Sequence, residues 1–294
     1  MKQPLVSVRV VTYNHEKYIQ QCLEGILMQR TDFPFEIVIG EDCSTDHTRE
    51  IVFDYEKRFP EIIRVITSEK NVGGMQNIIR VHQACSGKYI ANCEGDDYWI
   101  DPLKLQKQVD FMEAHPGMTL CFHNAIILNE ATAATRIFFE TQPHEILSFD
   151  EVCNITTPTA GVMARSDVLA TQPEWRLKIW CGDLLARLWC AHHGTVGYLN
   201  EIMSVYRRHP GGLDIQMRSQ PQKYYEDTLY VYREFDRETN FEHTDVIQRQ
   251  TLRTQERLLF RRLGRLYFLL RPGQIVARLK EYAGWIDRQK RLNG

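Results

Sequence analysis

The chain has 294 residues, enough for one large domain or two ordinary ones. With 43% hydrophobic and 25% charged residues, it is neither a disordered, a collagenous nor a coiled-coil sequence. The formal net charge of −2 conceals an asymmetry, because residues 241–294 carry 12 Lys and Arg against 5 Asp and Glu, which leaves a body at −9 and a tail at +7.

Apolar runs such as Leu266 to Leu270 are far shorter than the ~20 residues of a membrane-spanning helix, so none is expected. The N-terminus lacks the apolar core and cleavage site of a secretory signal, which predicts a cytosolic protein. Eight cysteines lie at scattered spacings without Cys-x-x-Cys, and they read as reduced thiols rather than as a disulfide framework or a zinc site.

Leu5 to Val11 is rich in β-branched residues and predicts a first strand, running into the loop Thr12-Tyr13-Asn14. Apolar or small residues at Ile19, Cys22, Leu23, Ile26 and Leu27 have helical spacing. Phe35 to Gly40 is a second strand, and the turn residues Glu41 to Asp46 lead into a helix over Thr48 to Phe59. Ile62 to Thr67 is a third strand. After Asn71-Val72-Gly73-Gly74, a helix through Ala84 leads to a fourth, Tyr89 to Cys93, which ends in Glu94-Gly95-Asp96-Asp97. Strands at Met118 to Leu128, Thr157 to Ala164 and Thr195 to Leu199, and a helix at Leu184 to His193, follow. From about Gln222 the pattern is helical, interrupted at Gly264 and Pro272-Gly273.

Four strands separated by helices in the first hundred residues imply βαβ units and a doubly wound sheet. Ligands of such sheets sit beyond the carboxyl ends of the strands, which directs attention to Thr12 to Asn14, Glu41-Asp42 and Glu94 to Asp97. Neither Gly-x-Gly-x-x-Gly nor a P-loop follows any strand, which argues against a dinucleotide-dependent dehydrogenase or a P-loop phosphotransferase. Adjacent carboxylates at Asp96 and Asp97 repel unless a positive group lies beside them, and a hard divalent cation shared with phosphate oxygens meets that need. The plainer reading of these acids is that they cap the following helix.

VSVRVVTYNHEKYI, IVIGEDCSTDHT and YIANCEGDDYWIDPLKLQKQ, in that order, resemble the motifs of the family-2 inverting glycosyltransferases with a GT-A fold, of the kind that build bacterial surface polysaccharides. The resemblance covers about residues 4 to 212. It implies an α/β fold with a GT-A-like, doubly wound mixed sheet whose nucleotide half is Rossmann-like. Residues 1–215 would form the catalytic domain, with a nucleotide-binding half at 1–117 and an acceptor half at 118–215. Residues 216–294 would form a helical, basic extension.

By the same resemblance Asp42 accepts a hydrogen bond from the base, most often uracil, while Thr12, Tyr13, Asn14 and Glu16 line the nucleotide pocket. Asp96 faces ribose or metal, Asp97 binds Mn²⁺ or Mg²⁺, and Asn77 and Arg80 are weaker candidates for the nucleotide. Glu94 departs from the pattern, since the family often has Asp there. Asp183, in Trp180-Cys181-Gly182-Asp183-Leu184, matches the catalytic base, with Asp150 and Asp167 as fallbacks; its plain alternative is an N-cap. In Tyr206 to Gly212, Arg207 suits a phosphate and His209 a metal, with the glycine pair allowing closure over the ligand.

His192-His193 resembles a metal pair but reads more simply as a helix C-terminal dipole partner or as surface. The tail segment LLFRRLGRLYFLLRPGQIVARLK has the composition of a basic amphipathic helix. It suggests peripheral contact with an anionic membrane at the inner face of the plasma membrane, or packing on the catalytic domain or a second subunit. No nucleic-acid reader motif is present. The implied reaction is transfer of a sugar from a nucleotide-diphosphate donor, UDP foremost, to a hydroxyl of a glycan or lipid-linked acceptor. The alternatives are a sugar-nucleotidyltransferase and a non-catalytic nucleotide-sugar-binding protein.

Overall fold

The computed structural model describes residues 3–180 and 182–263. The first strand, β1 (Val6–Thr12), is followed by α1 (Ile19–Leu27), β2 (Phe35–Glu41), α2 (Thr48–Arg58), β3 (Ile63–Thr67), α3 (Gly74–Ala84) and β4 (Tyr89–Asn92). Next come β5 (Tyr98–Trp99), α4 (Lys104–Ala114), β6 (Met118–Asn129), β7 (Ala134–Ile137), β8 (Ile146–Leu147) and α5 (Phe149–Asn154). The chain continues through β9 (Met163–Arg165), α6 (Ser166–Ala170), α7 (Gly182–His193) and β10 (Thr195–Arg208). Three helices complete the described residues: α8 (Leu213–Ser219), α9 (Pro221–Glu238) and α10 (Thr244–Leu263).

One mixed sheet holds the strands in the order β3-β2-β1-β4-β9-β6-β10-β5, with β7 on β6 and β8 on β10. The parallel block β3-β2-β1-β4 is the βαβ half expected from the periodicity. The short strand β9 runs antiparallel to both β4 and β6 and joins this block to the parallel pair β6 and β10. The parallel block and the β6–β10 pair therefore share one sheet.

Two expectations are corrected. The predicted strand Thr157 to Ala164 is broken by a 3₁₀ turn at Thr159–Gly161, because Pro158 has no N–H for a ladder and its carbonyl takes the Gly161 N–H at 2.9 Å. Only Met163–Arg165 pairs as a strand. The strand predicted at Thr195 to Leu199 extends to Arg208, and its register shifts between Leu199 and Ser204 mark bulges that polar Asn200 and Glu201 obscured in the sequence.

Three apolar clusters hold the layers together. Val6, Val8 and Val10 of β1 meet Ile37 and Ile39 of β2 and the inner faces of α1 and α4. A second cluster, with Phe122, Val162, Cys190, Val196 and Tyr198, fills the space between the sheet and α7. In the third, Leu184, Leu185, Leu188 and Trp189 of α7 pack on Val231, Tyr232 and Phe235 of α9 and Ile247 of α10. The extension as far as residue 263 thus packs on the catalytic body. The basic, Leu-rich segment lies largely beyond residue 263, outside the described residues. Among the described residues no helix is long and apolar enough to cross a membrane. Cys22, Cys43, Cys85, Cys93, Cys121, Cys153 and Cys190 are free thiols.

Helix α3 lies so close to β2 that a Cβ on Gly40 would stand 2.3 Å from Val81 Cγ2 and 2.5 Å from Asn77 Oδ1. Gly40→Ala is expected to lower stability by about 1–3 kcal/mol in urea unfolding, through overpacking. Gly117→Ala, where an added Cβ meets nothing within 4 Å, is expected to stay within about 0.5 kcal/mol.

Candidate active site

The loops after β1, β2 and β4 converge beyond the carboxyl ends of their strands, and hydrogen bonds join the first two. Asn14 stands at φ 56°, a left-handed conformation that Asn tolerates better than most residues. Its N–H donates to Ser44 Oγ at 3.0 Å, and its Oδ1 accepts from Thr45 N at 2.8 Å. Glu16 N–H donates to Asp46 Oδ2, and Glu16 Oε2 accepts from His47 N, both at 3.1 Å. Asn14 and Glu16 are therefore cross-links between the two loops. Tyr13, 40% exposed, presents an open ring beside them, while Thr12 is buried.

Asp42 is 2% exposed and receives three hydrogen bonds: from Ser68 Oγ at 3.2 Å, Val72 N at 2.8 Å and Gly73 N at 2.9 Å. The last two come from the loop that opens α3, where Gly73 takes φ 86°. Asn77, proposed from the sequence for the nucleotide, instead donates from Nδ2 to Gly40 O at 2.7 Å and is buried between α3 and β2. Arg80 donates to Thr67 O at 2.7 Å. Both residues brace α3 against the sheet.

The two neighbouring acids after β4 face opposite ways. Asp97 points inward, 2% exposed, and its Oδ1 accepts the Arg207 N–H at 2.7 Å. The side chain of Asp96 is 18% exposed; its Oδ2 lies 3.1 Å from His209 Nε2 and 3.9 Å from His15 Nε2. The group open to a cation is thus Asp96, with His209 and His15, and the buried Asp97 carboxylate fixes the loop. Burial alone would raise the Asp96 carboxyl, but the His209 hydrogen bond and the charge of His15 outweigh it and leave the group below the usual range. Burial and the neighbouring Asp96 and Glu94 hold Asp97 well above it.

Arg207 is committed to the protein rather than to solvent. Its Nε donates to Asp96 O at 2.8 Å and Nη2 to Gln21 Oε1 at 2.6 Å; Nη1 pairs with Glu130. The guanidinium lies 4.8 Å from the Tyr18 ring centre and 4.9 Å from that of Tyr98. Tyr18 also contacts the His209 ring, with centres 4.6 Å apart.

The sequence reading missed His15. Its position three residues past the end of β1 was an available signal, but only the fold shows that Asp96 and His209 stand beside it. Its ring Nδ1 meets Thr12 Oγ1 at 3.2 Å, and a Cβ on Gly95 would sit 2.9 Å from that nitrogen, so the close approach of the loops needs the glycine.

Asp183 stands in the first turn of α7 with its side chain 37% exposed, 3.9 Å from Arg187 Nη1. The start of α7 touches the start of α3, since a Cβ on Gly182 would lie 2.2 Å from Met75 Cε. Asp183 thus borders the loop that holds Asp42. The fallback acids are engaged elsewhere: Asp150 pairs with Arg249 at 2.8 Å and Asp167 with Arg165 at 2.5 Å.

The family model for glycosyl transferase family 2 matches residues 7–168, more than half of the chain and all three converging loops. The chain belongs to this family. An uncharacterised protein of Mycobacterium tuberculosis is 36% identical over 217 residues, 71% of this chain and 60% of that one, so this family-2 chain spans about three fifths of that relative. The putative teichuronic acid biosynthesis glycosyltransferase TuaG of Bacillus subtilis is 29% identical over 238 residues, 80% of this chain and 90% of its own. The crystal structure of Staphylococcus aureus TarS in complex with UDP-GlcNAc superposes with a TM-score of 0.64 at 21% identity, covering 88% of this chain and 73% of that one. The mannosyltransferase PcManGT of Pyrobaculum calidifontis, in complex with GDP-Man and Mn²⁺, gives a TM-score of 0.59 at 15% identity over 99% of this chain and 85% of its own. At these identities the two structures establish the shared GT-A fold of this family-2 chain.

Behind the acidic loop lies a buried cation. The Lys104 side chain is fully enclosed, with Nζ 3.8 Å from the Trp99 ring centre and no hydrogen bond from any described residue. Burial brings Lys104 down to about 7, against the pull of Cys93, Cys121 and Glu94, and the same burial raises Glu94 to about 7. Above pH 7 the folded protein keeps Lys104 neutral while the unfolded chain stays protonated up to about 10.5, so this residue makes stability rise with pH. Between pH 7 and 9 the wild type is expected to gain, from this group alone, up to about 1.4 kcal/mol per pH unit relative to Lys104→Met. The variant is expected to be the more stable of the two at pH 7, and urea unfolding at several pH values measures the difference.

Proposed function

We propose that this chain is an inverting glycosyltransferase that moves a sugar from a nucleotide-diphosphate donor, a UDP-sugar first, to a hydroxyl of a glycan or lipid-linked acceptor in surface polysaccharide synthesis. The observation that carries this reading is the convergence of Asp96, His209 and His15 beyond strands whose neighbouring loops present Asp42 and the open Tyr13 ring. A UDP-GlcNAc complex of TarS and the teichuronic acid role named for TuaG support the donor and acceptor classes.

In this reading Tyr13 and Thr12 line the base pocket, and Asp42, already held by Val72 and Gly73, directs its remaining acceptor capacity at a base N–H. Asp96 and His209, with His15 beside them, are the donor set for Mn²⁺ or Mg²⁺; a carboxylate with imidazole nitrogens and room for diphosphate oxygens suits such an ion. A cation held by these residues would supply neutralisation of the charge that develops on the departing diphosphate. Asp97 and Arg207 hold the loop that presents Asp96. Asp183 takes the proton of the acceptor hydroxyl as its oxygen attacks the anomeric carbon from the face opposite the diphosphate, which inverts the configuration. The basic segment past residue 263 supplies peripheral contact with an anionic membrane from the cytoplasmic side, or a surface for self-association; nucleic acid is not a partner.

Thermal melting with UDP, GDP, CDP and dTDP, each with and without Mn²⁺ or Mg²⁺, tests the donor site. A metal-dependent upward shift with one diphosphate is expected, lost in Asp96→Ala; no shift with any of them overturns the donor reading in favour of a binding protein for some other ligand. With that donor, Asp183→Asn is expected to keep the thermal shift and lose about 10²–10⁴-fold in kcat. Unchanged turnover removes Asp183 from the role of base.

A further inference from the structure

The described residues contain a second cluster of potential metal ligands, on the far side of α7 from Asp183. His192, in the last turn of α7, meets His243, the residue before α10, with His192 Nδ1 and His243 Nε2 3.0 Å apart. Glu242 Oε2 lies 3.7 Å from the same His192 nitrogen, and one donor atom from each of the three falls within 4.8 Å of the others. Around a tetrahedral zinc ion with bonds near 2.0–2.1 Å, neighbouring donors stand about 3.3 Å apart, a value that the two measured separations bracket. The cluster joins the catalytic body to the turn between α9 and α10.

The geometry favours a ligand role over an ordinary surface pair. The His243 ring is stacked on Phe149, with centres 3.8 Å apart and planes within 10°, so its orientation is set by packing. The turn that delivers it carries two consecutive non-glycine residues at positive φ, Asn240 at 50° and Phe241 at 63°. Glu242, with a side chain 64% exposed, closes the set and leaves a fourth position to water. His193 is not a member, because its Nδ1–H donates to Trp189 O at 2.9 Å.

We propose that His192, His243 and Glu242 form a structural site for a late divalent transition ion of the zinc type, fastening the α9–α10 hairpin to α7 independently of the donor-site cation. Two imidazoles and one carboxylate suit zinc, whereas Mg²⁺ and Ca²⁺ favour all-oxygen sites. Binding displaces the single proton held between the two facing ring nitrogens, and the ring that carried it takes up a proton from solvent at its other nitrogen, so both imidazoles stay neutral.

The test uses untagged full-length protein, titrated with Zn²⁺ in calorimetry and followed by thermal melting. Because His15 and His209 at the donor site also offer imidazole, the titration is run in an Asp96→Ala background as well as in the wild type. One zinc site persisting in Asp96→Ala, with a rise in melting temperature, is the expected result. Adding His243→Gln is expected to weaken that site about 100-fold, and Glu242→Gln about tenfold. Co²⁺ at this site is expected to give the absorption of a four-coordinate ion, and the double variant with His243→Gln to lose it. Glu242→Gln, a change at an exposed side chain, carries the test if His243→Gln does not fold. Equal zinc affinity with and without these substitutions, or no zinc site in Asp96→Ala, overturns the proposal while leaving the donor-site reading intact.

Discussion

The hydrogen bond from Arg207 N–H to Asp97 Oδ1 is the constraint on which the site depends. It ties the end of β10 to the loop after β4. A buried carboxylate without a partner would cost several kcal/mol, so the backbone of β10 has little freedom to move away. The same arginine side chain then donates to Asp96 O, Gln21 and Glu130 and rests between the Tyr18 and Tyr98 rings. With Asp97 turned inward, the alternation of the chain leaves Asp96 turned outward, and His209, two residues beyond Arg207, arrives beside it. The pairing of Asp96 with His209 is thus a geometric consequence of the pairing of Asp97 with residue 207.

This arrangement stores unfavourable electrostatics around the loop. Glu94, Asp96 and Asp97 fall within four residues of sequence, and burial raises two of them. Arg9 and Lys104 lie on the buried side, each with its proton affinity reduced by desolvation. Among the described residues Lys104 Nζ has no hydrogen-bond partner, and it relies on the face of Trp99. A sheet selected only for stability would place apolar side chains here. The strain is concentrated in the loop that carries Asp96 and Asp97, and departures from the rules of packing are expected at functional sites.

The βαβ half was legible because its periodicities are local: Val6, Val8 and Val10 alternate along β1, and Ile19, Cys22, Leu23 and Ile26 repeat along α1. The acidic loop, Asp42 and Asp183 were legible as carboxylates at strand or helix ends. Their division of labour was not. Which of Asp96 and Asp97 faces outward depends on Arg207, more than a hundred residues away, and the same distance hid His15 as a neighbour of His209. Asn77 read as a polar residue beside a ligand loop, whereas its amide serves Gly40 O across the α3–β2 contact. The two-residue strand Tyr98–Trp99 is too short to carry a period, and in β10 the bulges around Ile202 break the alternation that would have marked its full length.

The helical extension reads in the sequence as a separate element, but its contacts join it to the segment that leads into α7. Asp227 of α9 accepts the Trp180 N–H at 2.8 Å, and Lys223 Nζ lies 4.0 Å from the Trp180 ring centre. Trp180 is three residues before Asp183. The segment that delivers this carboxylate is therefore anchored from one side by α9 and from the other by the contact of Gly182 with Met75 at the head of α3. Further along α7, the packing of Leu188 and Trp189 on Val231 and Phe235 fixes the rotation of the helix, and with it the direction in which its first turn points. The placement of Asp183 is set jointly by the head of α3 and by a region outside the matched family segment.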